Sequence, residues 1–126
     1  MQQTVLIVED NEDAAAPLEV ALEGMLGIRV QLFSSAREAL RMLTSTPDQV
    51  AALITDLHLP SMDGFELIKQ IRGDQRYAAL PIVVVSGDTH PDTLERLFRL
   101  GADAYFPKPY SPTEIRHKLE SLIDAH

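Results

Sequence analysis

The stretch Thr4-Val5-Leu6-Ile7-Val8-Glu9-Asp10-Asn11 decides how the rest of the chain is read. An apolar, β-branched run of strand length stops abruptly on two carboxylates, as expected of a strand buried on both faces whose end emerges at a polar edge. The pattern recurs. Apolar runs at 28–33, 52–55, 82–85 and 104–106 join the run at 4–8 as predicted strands. Between them the apolar period lengthens to that of a helix. Leu18, Leu22, Met25 and Leu26 form one stripe, Ala36, Ala39, Leu40 and Leu43 a second, and Ile115, Leu119, Leu122 and Ile123 a third. Weaker stripes run through Leu67, Ile68 and Ile71 and through Leu94, Leu97 and Phe98. Ser35 to Glu38 and Ser111 to Glu114 read as capping boxes, the second with Pro112 at the first helical position, and Gly27, Gly73 and Gly101 suit helix C-termini. Alternating strands and helices predict an α/β fold with a doubly wound parallel sheet, filling one domain over residues 1–126.

Composition narrows the function. A chain of 126 residues has room for a single core. Asp and Glu number 19 against 11 Lys and Arg, a formal charge of −8, and such a surface repels phosphate backbones, so direct nucleic-acid binding is not expected. The absence of cysteine excludes disulfides, thiolate metal sites and thiol nucleophiles. No basic region precedes the apolar run at 5–8, which is too short for a signal peptide or a membrane span, so the expectation is a cytoplasmic protein with no membrane association.

The polar residues at the strand ends carry the chemistry. Right-handed β-α-β crossovers point all parallel strands the same way, so Glu9, Asp10, Asp56, Ser86 and Lys108 should converge at one edge. Carboxylates so gathered repel by roughly 4 kcal/mol per close pair at an effective dielectric near 20. A hard divalent cation with oxygen ligands relieves this, and Mg²⁺, which keeps waters and accepts a phosphate oxygen, fits best. Three carboxylates, the ion and the Lys108 ammonium then sum to zero charge.

These residues resemble the receiver domains of bacterial two-component response regulators. The matching motifs are Val5-Leu-Ile-Val-Glu-Asp-Asn11, Asp56-Leu-His-Leu-Pro-Ser-Met-Asp-Gly64, Val83-Val-Val-Ser-Gly87, Gly101-Ala-Asp-Ala-Tyr105 and Lys108-Pro109, in the family's order and spacing. The resemblance implies a flavodoxin-like (βα)₅ fold of strand order 2-1-3-4-5, the chemotaxis receiver being a standard example of that order. It implies that Asp56 accepts a phosphoryl group from a sensor histidine kinase, a histidine phosphotransfer protein or a small acyl phosphate. Asp10, Asp56 and the backbone carbonyl of His58 would ligate Mg²⁺, with Glu9 reaching it directly or through water. Lys108 and the Ser86 hydroxyl would hold phosphoryl oxygens, and Tyr105 would rotate as the switch. The responding face, formed by the fourth helix, fifth strand and fifth helix, is also a candidate homodimer surface. No enzyme acting on bulk substrate is implied, only self-catalysed phosphorylation and slow autodephosphorylation. His58 and Asp88 stand where the family varies and tunes access of hydrolytic water, and Lys108-Pro109 resembles the family's cis peptide. Pro107 cannot donate to a ladder, which places the fifth strand at an edge.

Plainer readings exist for each residue taken alone. An isolated Asp after a strand more often caps a helix, which is the reading for Asp63, three residues before Glu66. Residues 9–13 could be a solvated acidic loop, Ser86 a turn, Lys108 a surface lysine and Tyr105 strand packing. His58, His90, His117 and His126 lack zinc spacing. Among rival functions, an aspartyl-phosphate hydrolase similar to the haloacid dehalogenases would place a general acid where His58 stands. A flavodoxin-like cofactor binder would set its phosphate against Glu9, Asp10 and Asp13. A third rival is a receiver that binds its partner without phosphorylation.

Overall fold

The continuous apolar run of the first strand is shared between the two faces of a sheet. In the computed structural model, which describes residues 3–46 and 49–124, β1 (Gln3–Val8) turns Val5 and Ile7 into one core and Leu6 and Val8 into the other. β3 (Val50–Asp56) and β4 (Ile82–Ser86) are buried along their whole lengths. β2 (Ile28–Phe33) and β5 (Ala104–Pro107) are the half-buried edges, and all pairings are parallel in the order β2-β1-β3-β4-β5. Pro107 therefore sits on an edge strand, where a missing donor costs least. Among the described residues no helix is long and apolar enough to cross a membrane. Met1, Gln2 and His126, part of the sequence reading, lie outside the described residues.

Helices close both faces. α1 (Glu12–Glu23) and α5 (Pro112–Asp124) cover one core with Leu18, Leu22, Ile115 and Leu119. α2 (Ala36–Ser45), α3 (Gly64–Arg72) and α4 (Pro91–Leu100) cover the other with Ala39, Leu43, Leu67, Ile68, Ile71 and Leu97. Each fully buried aliphatic side chain is worth about 1.5–3 kcal/mol in lost hydration. The capping residues work as their sequence positions predict: Ser35, Asp63 and Ser111 accept from the backbone N–H of Glu38, Glu66 and Glu114.

Several boundaries differ from expectation. β3, β4 and β5 each run one residue further, so Asp56, Ser86 and Pro107 end strands instead of following them. Asp56 pairs in register with Val85, and Ser86 with Pro107, so the ladder itself holds these residues. α1 stops at Gly24, so Gly27 is not its cap; it turns the chain into β2 at φ 76°. Leu26, read as the end of the α1 stripe, lies beyond that helix end and is fully exposed. Periodicity continues through a sequence whether or not the backbone does, because it reports no hydrogen bonds. Phe98, assigned to the α4 stripe, is half exposed, and Leu97 alone of that stripe is buried.

Candidate functional site

Parallel register brings the strand ends together. Val8 of β1 pairs with Thr55 of β3, so the next residues, Glu9 and Asp56, emerge side by side, and both are buried. Past β5 the Lys108 N–H donates to the Ser86 carbonyl at 2.8 Å, carrying the β4–β5 ladder one step beyond the strand. The side chain then crosses the sheet edge. Its Nζ donates to Asp56 Oδ2 at 2.5 Å and to Glu9 Oε1 at 3.0 Å, linking residues 52 and 99 positions apart. The remaining oxygens meet the backbone: Asp56 Oδ1 accepts from His58 N at 3.2 Å and Glu9 Oε2 from Asn11 N at 3.4 Å.

A close approach makes this possible. α3 starts hard against the end of β3, and a Cβ on Gly64 would lie 2.7 Å from the Asp56 carbonyl oxygen and 2.9 Å from Leu57 Cα. The Gly64 N–H in turn donates to the Leu57 carbonyl at 2.8 Å. Only glycine fits. The Lys108–Pro109 peptide is cis.

The electrostatics follow from burial and pairing. Burial pushes the Glu9 carboxyl above its ordinary value, the bond from Lys108 pulls it back, and the neighbouring carboxylates of Asp10 and Asp56 push it up again, leaving it raised. Burial alone would lower Lys108, but its bonds to Asp56 and Glu9 outweigh that and raise it, so the ammonium holds its proton firmly. Among the described residues no three carboxylate or imidazole groups already form a metal cage. The Lys108 ammonium offsets one of the cluster's carboxylate charges.

A second cluster lies beside the first. Ser86 is fully buried, and its Oγ accepts from Asp88 N at 3.0 Å. The Asp88 carboxylate accepts from His90 N and from Thr93 Oγ1, both at 3.0 Å, and these bonds hold it below the usual carboxylate range. Tyr105 Oη donates to the Asp88 carbonyl at 2.5 Å and to the Ser86 carbonyl at 3.2 Å. Burial, then the charge of Asp88, raises that phenol. The exposed His58 imidazole lies across the gap, Nε2 3.9 Å from Asp88 Oδ2.

Of the residues singled out in the sequence, Glu9, Asp56 and Lys108 thus meet in one cluster, which His58 joins through its backbone N–H, while Asp10 stands beside Glu9. Ser86 and Tyr105 meet in the adjoining loop. What sequence reasoning missed is that Asp88 organises that loop. A signal was present: Asp88 stands two residues before His90-Pro91 and five before Thr93, at a helix start marked by proline at its first position.

Residues 5–120 match the family model for the response regulator receiver domain. The DNA-binding transcriptional regulator NtrC of Klebsiella pneumoniae is 37% identical over 121 residues, 95% of this chain but 24% of NtrC, so the chain spans about a quarter of that relative. A chemotaxis protein CheY homolog of Campylobacter jejuni is 34% identical over 86 residues, 68% of this chain and 65% of that protein. In structure, a response regulator receiver protein from Pseudomonas putida superposes with a TM-score of 0.79 at 32% identity, covering 100% of this chain and 98% of that one. Sheet order, charged strand ends and these likenesses agree, and the chain belongs to the response regulator receiver domains of two-component signalling.

Proposed function

We propose that this chain is a phosphoacceptor, with Asp56 taking a phosphoryl group from the phosphohistidine of a sensor histidine kinase or histidine phosphotransfer protein, or from a small acyl phosphate. Receiver domains interact with such kinases and transfer proteins and use Mg²⁺ for phosphorylation. The observation that carries the reading is the ammonium of Lys108 lodged between the buried carboxylates of Glu9 and Asp56. A buried carboxylate with a mobile point charge beside it is a nucleophile whose product charge is already provided for.

In the reaction an Asp56 oxygen attacks phosphorus in line as the P–N bond to the donor imidazole breaks, and the imidazole keeps the bonding pair. Lys108 Nζ shifts from the carboxylate to a phosphoryl oxygen. The Ser86 hydroxyl donates to another, and Tyr105 moves with that loop. The donor set of Glu9, Asp10, Asp56 and the His58 carbonyl is oxygen only and fits a hard cation, so these residues would hold Mg²⁺. Bound there, the ion would neutralise carboxylate and phosphoryl charge. Stored in the protein, the new charge and acceptor oxygens shift the α4–β5–α5 face between two populations, and a homodimer through that face is one form of output. Residues 1–126 would act as one cytoplasmic domain, bind no nucleic acid directly, and turn over no substrate beyond their own phosphorylation and slow dephosphorylation. The test is intact-mass measurement after acetyl phosphate and Mg²⁺. One phosphoryl adduct is expected in wild type and none in Asp56→Asn or with EDTA; an adduct persisting in Asp56→Asn would move the acceptor elsewhere.

A further inference from the structure

The loop between β4 and α4 is wired through one residue. Asp88 uses every polar atom it has: N–H to Ser86 Oγ, carbonyl from Tyr105 Oη, Oδ1 from His90 N and Oδ2 from Thr93 Oγ1. Two of these bonds end at the first turn of α4, one at the phenol of β5, and one at the hydroxyl beside the phosphoryl site. The direction of the Ser86 bond matters chemically. With the Asp88 N–H occupying a lone pair of Oγ, the hydroxyl proton is left to donate.

We infer that Asp88 is a positioning residue that presents the Ser86 hydroxyl as a donor and ties its movement to the first turn of α4 through Thr93. The inference rests on the phosphoacceptor reading and adds the path by which the acceptor is felt. When Ser86 closes on a phosphoryl oxygen, Asp88 N follows its acceptor. The carboxylate then drags Thr93 and the His90 backbone, and the carbonyl drags the Tyr105 phenol. His90 in turn holds α4, accepting from Thr93 N at 3.0 Å, Leu94 N at 3.3 Å and, through Nδ1, Asp92 N at 3.1 Å. A local donor shift thereby becomes displacement of a helix start, the kind of two-state element that carries coupling.

The test compares wild type, Thr93→Val, Thr93→Ser and Asp88→Ala, each with and without acetyl phosphate and Mg²⁺. Adduct is followed by intact mass, and the α4 first-turn amides of Asp92, Thr93 and Leu94 by hydrogen exchange. All four chains should take the adduct. In wild type the adduct should change first-turn exchange; in Thr93→Val and Asp88→Ala that change should shrink by about fivefold or more, and Thr93→Ser, which keeps the hydroxyl, should restore it. Thr93→Val transmitting the full change, or wild type carrying adduct with no change, overturns the inference while leaving the acceptor in place. A Thr93→Val chain that takes no adduct also overturns it, since the Asp88–Ser86 bond survives that substitution. No adduct in wild type overturns the acceptor reading itself, and this inference with it.

Discussion

Two partly buried cations near opposite ends of the sheet, Lys108 and Arg72, are held in opposite ways. At the C-terminal ends of the strands the Lys108 ammonium donates to two side-chain carboxylates, and a third of its side chain remains exposed. At the other end Arg72, at the close of α3, spreads its fork over backbone. Nε and Nη2 donate to the Gly101 carbonyl at 3.1 and 2.8 Å, Nη1 to the Tyr77 carbonyl at 2.7 Å and Nη2 to Asp103 Oδ2 at 3.1 Å. That same Asp103 oxygen accepts from Ile82 N at the start of β4. Arg72 thus pins the end of α3 to the α4–β5 turn, where Gly101 stands at φ 113° and a Cβ would lie 2.8 Å from Arg72 Nε. A planar fork on fixed carbonyls has one arrangement; an ammonium on a flexible stem between two carboxylates can exchange partners. One end of the fold is a clamp and the other a site that can respond.

The comparison fails if the two cations behave alike on removal. Arg72→Ala should have the largest effect on stability, a loss of about 2–4 kcal/mol in chemical denaturation because it removes both side-chain donors from the Gly101 carbonyl and one each from the Tyr77 carbonyl and the Asp103 carboxylate, which keep Leu80 N and Ile82 N, with acetyl-phosphate adduct formation retained. Gly64→Ala should cost about 1–3 kcal/mol by pressing a methyl on the backbone of Asp56 and Leu57, and unlike Arg72→Ala it should also slow adduct formation, measured by intact mass against time.

Lys108→Met should cost less stability than either and lose most adduct formation. It should also flatten the alkaline limb of the stability curve. The sign follows from the raised Lys108 pKa: its contribution is fully present below 10.5 and is lost as pH rises through the folded value. The smallest effect belongs to Glu9→Gln. A carboxyl raised on folding becomes a growing liability as pH climbs from 4.5 through its folded value, so this variant should gain on wild type across that interval in denaturation midpoints taken at each pH.

Much of the responsive end was legible in the sequence because its residues terminate apolar runs. Glu9, Asp56, Ser86 and Lys108 could be nominated by position alone, and right-handed crossovers brought those positions to one edge. The clamp was not legible. Arg72 meets Gly101 and Asp103 across 29 and 31 residues, and nothing local to a helical arginine signals which carbonyls it will find. The 3₁₀ turn at Gln75–Tyr77 escaped for a related reason, since its buried Tyr77 is placed by bonding the Leu43 carbonyl of α2 and not by any period of its own. Asp88 falls between the two cases, its capping chemistry written in Asp88-Thr-His-Pro91 but its link to Ser86 and Tyr105 created only by folding.

Chemical trapping addresses the responsive end most directly. After acetyl phosphate and Mg²⁺, borohydride reduces an aspartyl phosphate to homoserine, and peptide mass mapping locates it. Homoserine at position 56, diminished in Lys108→Met and undiminished in Arg72→Ala, is the predicted result; homoserine at another acidic position, or none in wild type, would contradict it.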